Sequence, residues 1–419
     1  MTKIFSFTQP VDADIVDAFC VLQKGFTDQF VYYDKARPTR YLGLGRCVVI
    51  PTLADAESEL QGPSNEQPVF FSFNRFDAEN PKPTDELFSS FPRLALMLPE
   101  VVLIENERGC FLQINSLGPV YPGRVERFAR HVATAQKRVR TDIPFELEAD
   151  SRSAWESAVA AGLSAIHEGR VDKVVLSRRQ KLTAAHPFSS KDLLVNLIDG
   201  PARGTVLLYR YGDVFFCGCT PELLIHKRGT KVESMCLAGT TSAGASEEER
   251  ERLAKSLLAD PKNLREHAYV VDFIREVFRR NCHDVEISNQ PGILSLQHVQ
   301  HLFTPAQAEI IEGKTLFGLM TELHPTPALS GTPVGEALML IRRIESYNRG
   351  LFGGAVGYVD GGGDGEFSVA LRTGVFDGEI GWVYAGCGIV EGSVAADEYD
   401  EIDMKLKTIL SAFEGGVHD

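Results

Sequence analysis

The chain has 419 residues, 44% of them apolar and 24% charged, which is the composition of a soluble globular protein with room for one large domain or two or three ordinary ones. A net charge of −14 argues against a nucleic acid or an anionic membrane as partner, and favours a small-molecule enzyme whose site supplies its own positive charge. No apolar run reaches the roughly 18 residues of a membrane span, and Met1-Thr-Lys-Ile-Phe-Ser-Phe7 does not read as a signal peptide, so a cytoplasmic protein is expected.

Residues 1–150 mix strand-like runs with loops. Arg46-Cys-Val-Val-Ile-Pro51, Val69-Phe-Phe-Ser-Phe73, Val101-Val-Leu-Ile104 and Cys110-Phe-Leu-Gln-Ile114 predict strands, and Arg124 to Arg138 a helix. No chemistry is visible in this part. From 151 onward the pattern sharpens. Ser153 to His167 predicts a helix and Lys173-Val-Val-Leu-Ser-Arg178 a strand. Thr205–Tyr209 and Asp213–Cys217 predict a hairpin across Gly212. Glu247–Leu258 and Lys262–Arg280 predict helices broken at Asp260-Pro261, and Val334–Glu345 a third. A long hairpin follows, Gly354–Val359 and Phe367–Arg372 around the turn Gly361-Gly-Gly-Asp-Gly365. A phosphate loop is excluded there, because no Lys-Ser/Thr follows and the next element is a strand. A strand over Gly381–Cys387 and a helix over 396–413 complete the chain. Many antiparallel strands with interspersed helices indicate an α+β fold with large sheets. The eight cysteines show no CxxC pair and no zinc-like spacing, and read as small buried thiols.

Several residues are candidates for chemistry. Glu266 falls in line with the apolar Val270, Phe273 and Val277, and Glu398, Glu401 and Lys405 edge the stripe Ile402, Leu406, Ile409 and Phe413. A carboxylate at such an edge needs a partner, and two such helices facing one cavity make an oxygen-lined cation site. Lys173 opens an apolar strand. It reads either as a strand-edge lysine in solvent or as a dehydrated amine able to serve as a general base. Thr220-Pro221 carries a helix-start signature, with Thr as N-cap and Pro at the first position. Glu222 would then be a dipole partner or an acid aimed into a cleft. Gly239 in Leu237-Ala-Gly-Thr-Thr241 permits close backbone approach, so its neighbours' N–H groups either bind an anion or serve a turn. Arg372 ends a strand in an apolar stretch and needs an acidic partner, either within the protein or on a ligand. Lys405 lies one helical turn from Glu401, which is also the spacing of an ordinary surface ion pair. His324 lies in the rigid loop His324-Pro-Thr-Pro-Ala-Leu-Ser-Gly331, more often a structural setting than a catalytic one.

Taken in order, these pieces resemble the chorismate-utilising enzymes, and within them the isochorismate synthases. The matching segments are Asp172–Arg178, Thr220–Leu224, Leu237–Thr240, Lys262–His267, His324–Ala328, Leu351–Ala355, Ala385–Ser393 and Glu398–Lys405. The resemblance covers about residues 150–412, the chorismate-binding catalytic region, with 1–150 as a variable N-terminal part of the same fold. It implies a single α+β domain of two stacked, mainly antiparallel sheets with helices outside. It implies reversible conversion of chorismate to isochorismate, in which water adds at C2 and the C4 hydroxyl leaves from the opposite side. Lys173 matches the general base and Glu222 the general acid. Glu266 and Glu401 match carboxylates that hold Mg2+, with Glu398 behind them. Gly239, Thr240, His324, Arg372, Gly386, Gly388 and Lys405 match groups that bind substrate.

Anthranilate synthases typically carry glutamine where Lys173 stands, so no glutamine amidotransferase subunit is expected, and the family's synthases are commonly monomeric. Salicylate synthases, which go on to eliminate pyruvate, share Lys173 and Glu222 but tend to carry tyrosine at Phe352 and threonine at Ala328. A non-catalytic chorismate-binding protein would be expected to have lost Lys173 or Glu222. Cys387, where alanine is common, and Asn263, where an acid is common, depart from the pattern, and Asn263 is placed one turn before Glu266, where it would weaken the metal's surroundings. Menaquinone, catecholate siderophores and salicylate all start from isochorismate, so the pathway stays open.

Overall fold

A strand such as Thr205-Val-Leu-Leu-Tyr209, with the apolar Val206, Leu207 and Leu208 in succession, needs cover on both faces. The computed structural model, which describes residues 4–50, 52, 68–82 and 86–415, supplies it with two antiparallel sheets laid face to face. The first runs in the order Phe5–Val11, Gly109–Ser116, Val101–Asn106, Arg40–Leu44, Gln29–Asp34, Thr205–Tyr211, Val214–Thr220, Thr373–Asp377, Ile380–Val390, Lys173–Thr183 and Gly331–Thr332, with Glu146–Leu147 also on Lys173–Thr183. The second runs Cys282–Ile287, Val299–Ile310, Lys231–Ser242, Leu223–Arg228, Gly365–Val369, Ala355–Asp360, Val69–Asn74, Leu94–Leu98 and Val48–Ile50, with Gly292–Ser295 also on Val299–Ile310. Both sheets draw strands from the first 150 residues.

Side-chain alternation assigns the two faces. Leu207 and Tyr209 point between the sheets, into an aromatic layer with Phe30, Tyr32, Phe71, Phe73, Phe216 and Tyr384. Val206 and Leu208 point outward, into the layer under the helices. The inner layer carries hydroxyls, and these are satisfied across the gap. Tyr209 donates to the carbonyls of Ser72 and Gly357, at 3.1 and 3.0 Å. Tyr32 Oη lies 2.7 Å from both Glu366 Oε1 and Ser368 Oγ. Buried polar groups paired in this way fix the stacking of the sheets.

The helices cover the outer faces. Arg152–His167 is capped by Ser151, and Pro261–Asn281 by Asp260 with Pro261 at its first position. Ala395–Leu410 is followed by a short 3-10 turn, Ser411–Phe413. No helix among the described residues is long and apolar enough to cross a membrane. All eight cysteines are free, and most are buried.

Four expectations change. The helix expected over Arg124–Arg138 spans Pro122–Val132. Its apolar stripe, Val125, Phe128 and Val132, ends there, and Arg138 pairs instead with Asp14, Asp17 and Asp199. The strand expected to run to Arg372 stops at Val369, where Leu371 N–H turns back to Val369 O at 2.8 Å, and Arg372 adopts the left-handed backbone, φ 53°, before the chain enters the first sheet at Thr373. The strand expected over 46–51 is Val48–Ile50, and Pro51 lies outside the described residues. Thr220-Pro221-Glu222 starts no helix: it links the strands Val214–Thr220 and Leu223–Arg228. The apolar run Leu223-Leu-Ile225 after it is recruited by pairing with Gly365–Val369, a long-range contact that overrides a local capping pattern.

The strand Thr205–Tyr211 pairs on one side with Gln29–Asp34 and on the other with Val214–Thr220. Leu208 is fully buried there. Leu208→Ala is expected to lower unfolding free energy by about 3 kcal/mol, read as a lower urea midpoint at an unchanged slope.

Candidate active site

Lys173 is fully buried, which overturns the reading of a strand-edge lysine in solvent. Its Nζ lies 3.0 Å from Glu266 Oε1, an acid on the Pro261–Asn281 helix, which packs on the second sheet and also touches Ile380–Val390 of the first. The contact forms because Gly388 has no side chain. In the ladder Val175 pairs with Gly388 and Lys173 with Val390. A Cβ on Gly388 would collide with Glu266 Oε1 and come within 2.8 Å of Lys173 Cε. The neighbouring Gly386 accepts a 2.9 Å bond from Lys405 Nζ through its carbonyl. Both glycines of Ala385-Gly-Cys-Gly388 thus sit in the site, Gly388 as a slot and Gly386 as an acceptor.

Across the cavity stands Glu222, 4% exposed and without an ion pair among the described residues. Burial pushes its carboxyl up to about 8, against the weaker opposing pull of Lys173, Lys405 and Arg372. A carboxylic acid is therefore present near neutral pH, facing a cavity that also holds a lysine.

Arg372 is 6% exposed, and no carboxylate pairs with it among the described residues. Burial lowers its guanidinium to about 10, against Cys219 and Glu222. Its protein partner is His301, with Nη2 2.8 Å from Nε2. Arginine only donates, so Nε2 accepts and the ring proton belongs on Nδ1, 3.1 Å from Thr240 Oγ1. Burial, then the charge of Arg372, holds His301 well below the ordinary histidine range, in keeping with this neutral ring. Gly239 forms a bulge, with φ 78° and a register shift in the ladder to Val299–Ile310. It lets Thr240 N–H donate to Asn263 Oδ1 at 3.3 Å. Asn263, expected behind Glu266, is thus committed to Thr240. A buried arginine with only neutral partners is left with charge for an anionic ligand.

The Ala395–Leu410 helix brings the other acids. Glu401 bonds Lys405 at 2.7 Å, and the buried Glu398 bonds Lys262 at 2.7 Å. Burial raises Glu401 above the usual carboxylate range; Lys405 opposes this, while Glu398 and Glu266 add to it. Three carboxylates thus feel one another, each beside a lysine. Among the described residues no three His, Cys, Asp or Glu side chains gather into a metal cage. The donor chemistry fits a hard divalent cation held by one or two carboxylates, with water and a ligand completing its shell. Glu266 and Glu401 suit that mode, and Glu398, committed to Lys262, stands behind them.

One cavity of about 750 Å³ including its mouth is lined by Glu222, Gly239, Thr240, Glu266, Arg372 and Lys405 among others, while Lys173 lies behind Glu266 and Glu401 behind Lys405. Gly386, Gly388, Ala328 and Phe352 also line it, and Phe352 stacks on Tyr384 with ring centres 5.2 Å apart. His324 does not. Its buried ring faces the backbone of Arg75 and Phe76, and burial lowers it to about 4. His301 and Arg349, which line the cavity, escaped sequence reasoning. His301 lies in the apolar run Val299-Gln-His-Leu-Phe303, where nothing local separates it from a core histidine.

Glu222 also carries a stability signature. A group whose folded value is raised lends stability that is complete below its unfolded value, 4.5, and lost as pH rises through about 8. The stability difference between wild type and Glu222→Gln is therefore expected to shift against wild type from about pH 5 to pH 9, measured by urea unfolding at each pH.

Residues 1–414 match the family described as chorismate binding enzyme. The chain is 34% identical over 358 residues to isochorismate synthase MenF of Bacillus subtilis, covering 83% of this chain and 75% of that one. It is 32% identical over 360 residues to a salicylate biosynthesis isochorismate synthase of Pseudomonas aeruginosa, covering 82% and 74%. In three dimensions it overlays MenF, the menaquinone-specific isochorismate synthase from Escherichia coli, with TM-score 0.81 at 24% identity, over 98% of this chain and 94% of that one, a likeness of fold. With a match along nearly its whole length, the chain belongs to the chorismate-binding enzymes.

Proposed function

We propose that this protein is an isochorismate synthase that interconverts chorismate and isochorismate with Mg2+. The observation that carries this reading is a cavity walled by a carboxylic acid held at about 8, Glu222, and by Glu266, behind which the buried Lys173 lies 3.0 Å away. Environments that separate an acid from a base are what acid–base chemistry at neutral pH requires. The names of the relatives from Bacillus subtilis and Pseudomonas aeruginosa support the same activity.

In this reading Lys173 takes a proton from the water that attacks C2. Glu222 gives a proton to the hydroxyl departing from C4. Arg372, kept neutral-partnered by His301, binds one substrate carboxylate, and Thr240 and Lys405 lie within the same lining. A bound Mg2+ would be held by Glu266 and Glu401, would supply positive charge for the ring carboxylate, and would compete with Lys173 for Glu266. With water as nucleophile, no ammonia-supplying subunit is required. Phe352 and Ala328 line the cavity where salicylate synthases tend to carry hydroxylated residues, which supports a reaction that stops at isochorismate.

Incubation of the purified protein with chorismate and Mg2+, followed by separation of products, is expected to yield isochorismate. Salicylate and pyruvate as main products would move the protein to the lyase class, and turnover with ammonia but not with water would overturn the role of Lys173. Lys173→Ala is expected to lower kcat by about 100-fold or more. Glu266→Gln is expected to raise the Mg2+ concentration needed for half-maximal rate, and an unchanged requirement would remove Glu266 as a ligand.

A further inference from the structure

The strand that carries Lys173 has an incomplete neighbour. Gly331–Thr332 pairs only with Lys173 and Val174, so the backbone groups of Val175 and Ser177 on that edge lack a strand partner. Val175 is 5% and Ser177 7% exposed, and buried backbone groups need hydrogen bonds.

A side-chain pair completes the edge. Val175 N–H donates to Ser330 O at 2.9 Å. Val175 O accepts from Arg349 Nη2 at 2.7 Å. Ser177 N–H and Oγ–H both donate to Glu345 Oε1, at 2.7 and 2.8 Å. Arg349 and Glu345 close on each other through Nε–Oε2, 2.9 Å, and Nη2–Oε1, 2.5 Å. Arg349 Nη1 reaches further, to Leu329 O at 3.0 Å, in the loop that places Ala328 and Leu329 on the cavity wall. Both side chains of the pair are under 5% exposed.

A buried ion pair is a poor source of stability, because desolvation offsets its attraction. This one has a geometric task instead, since only a planar fork with an aligned carboxylate reaches all three segments at once. We infer that the Glu345–Arg349 pair is a positioning device for the reaction: it stands in for a missing strand and holds the Lys173 strand in register with the Ala328–Leu329 wall. The inference rests on the reading of Lys173 as base.

The test compares kcat and KM for chorismate in wild type, Lys173→Ala, Arg349→Lys and Ser177→Ala, each normalised to folded protein by circular dichroism. Arg349→Lys keeps the charge and loses the fork. It is expected to lower kcat by about tenfold to 100-fold, with KM within about threefold of wild type. A raised KM at unchanged kcat would assign Arg349 to substrate binding and overturn the inference. So would an unchanged kcat per folded molecule. Should Arg349→Lys not fold, Ser177→Ala, which removes the hydroxyl bonds to Glu345 and Tyr347 and no charge, decides: a lower kcat at constant KM supports the device and wild-type kinetics overturn it. An active Lys173→Ala would instead remove the reading on which the inference rests.

Discussion

Charge buried in an apolar sandwich must be answered by charge or hydrogen bonds within reach, and the site follows from that constraint. Lys173 is answered by Glu266, through the gap that Gly388 leaves. Glu398 is answered by Lys262 and Glu401 by Lys405. Glu222 has no such partner and keeps its proton instead. Arg372 has only the neutral His301. The paired groups make a stiff frame, and the two left over are an acid and a cation facing the same space. A dianionic ring with a hydroxyl to lose is a ligand that uses both.

The frame extends well beyond the cavity. The first 150 residues, in which no chemistry is visible, supply strands to both sheets and hydroxyl anchors such as Tyr32 between them. The segment after Asn74 reaches the floor of the site. Phe76 N–H donates to Gly350 O at 3.0 Å, and Phe76 lies under the guanidinium of Arg349, 4.3 Å from ring centre to Cζ. Asp77 grips Arg342 with two bonds, of 2.6 and 2.7 Å. Contacts of this kind join segments more than 250 residues apart in sequence, so the precision of the site is a property of the whole sandwich.

Helices were the most legible elements. Asp260-Pro261 marks a break by capping chemistry that acts within one turn, and a helix begins there; the helix expected from Ser153 begins one residue earlier, at Arg152. The hairpin across Gly212 and the glycine turn at 361–365 were readable for the same reason, since each depends on a few adjacent residues. Thr220-Pro-Glu222 misled because its capping pattern is local, whereas Leu223–Arg228 is held by strands far along the chain. His301 was illegible because an isolated histidine in a strand acquires a role only from Arg372 and Thr240, which arrive from other elements.

The sequence by itself determined the residue types, their order and the apolar stripes on which Glu266 and Glu401 ride, and through them the family. These are one-dimensional properties, set by composition, period and short-range capping. The tertiary structure decided which charges neutralise one another. It made Lys173 an interior residue, gave Gly388 its purpose, sent Asn263 to Thr240 and left His324 outside the cavity. Distances and burial govern electrostatic strength, and neither exists until the two sheets have closed on each other.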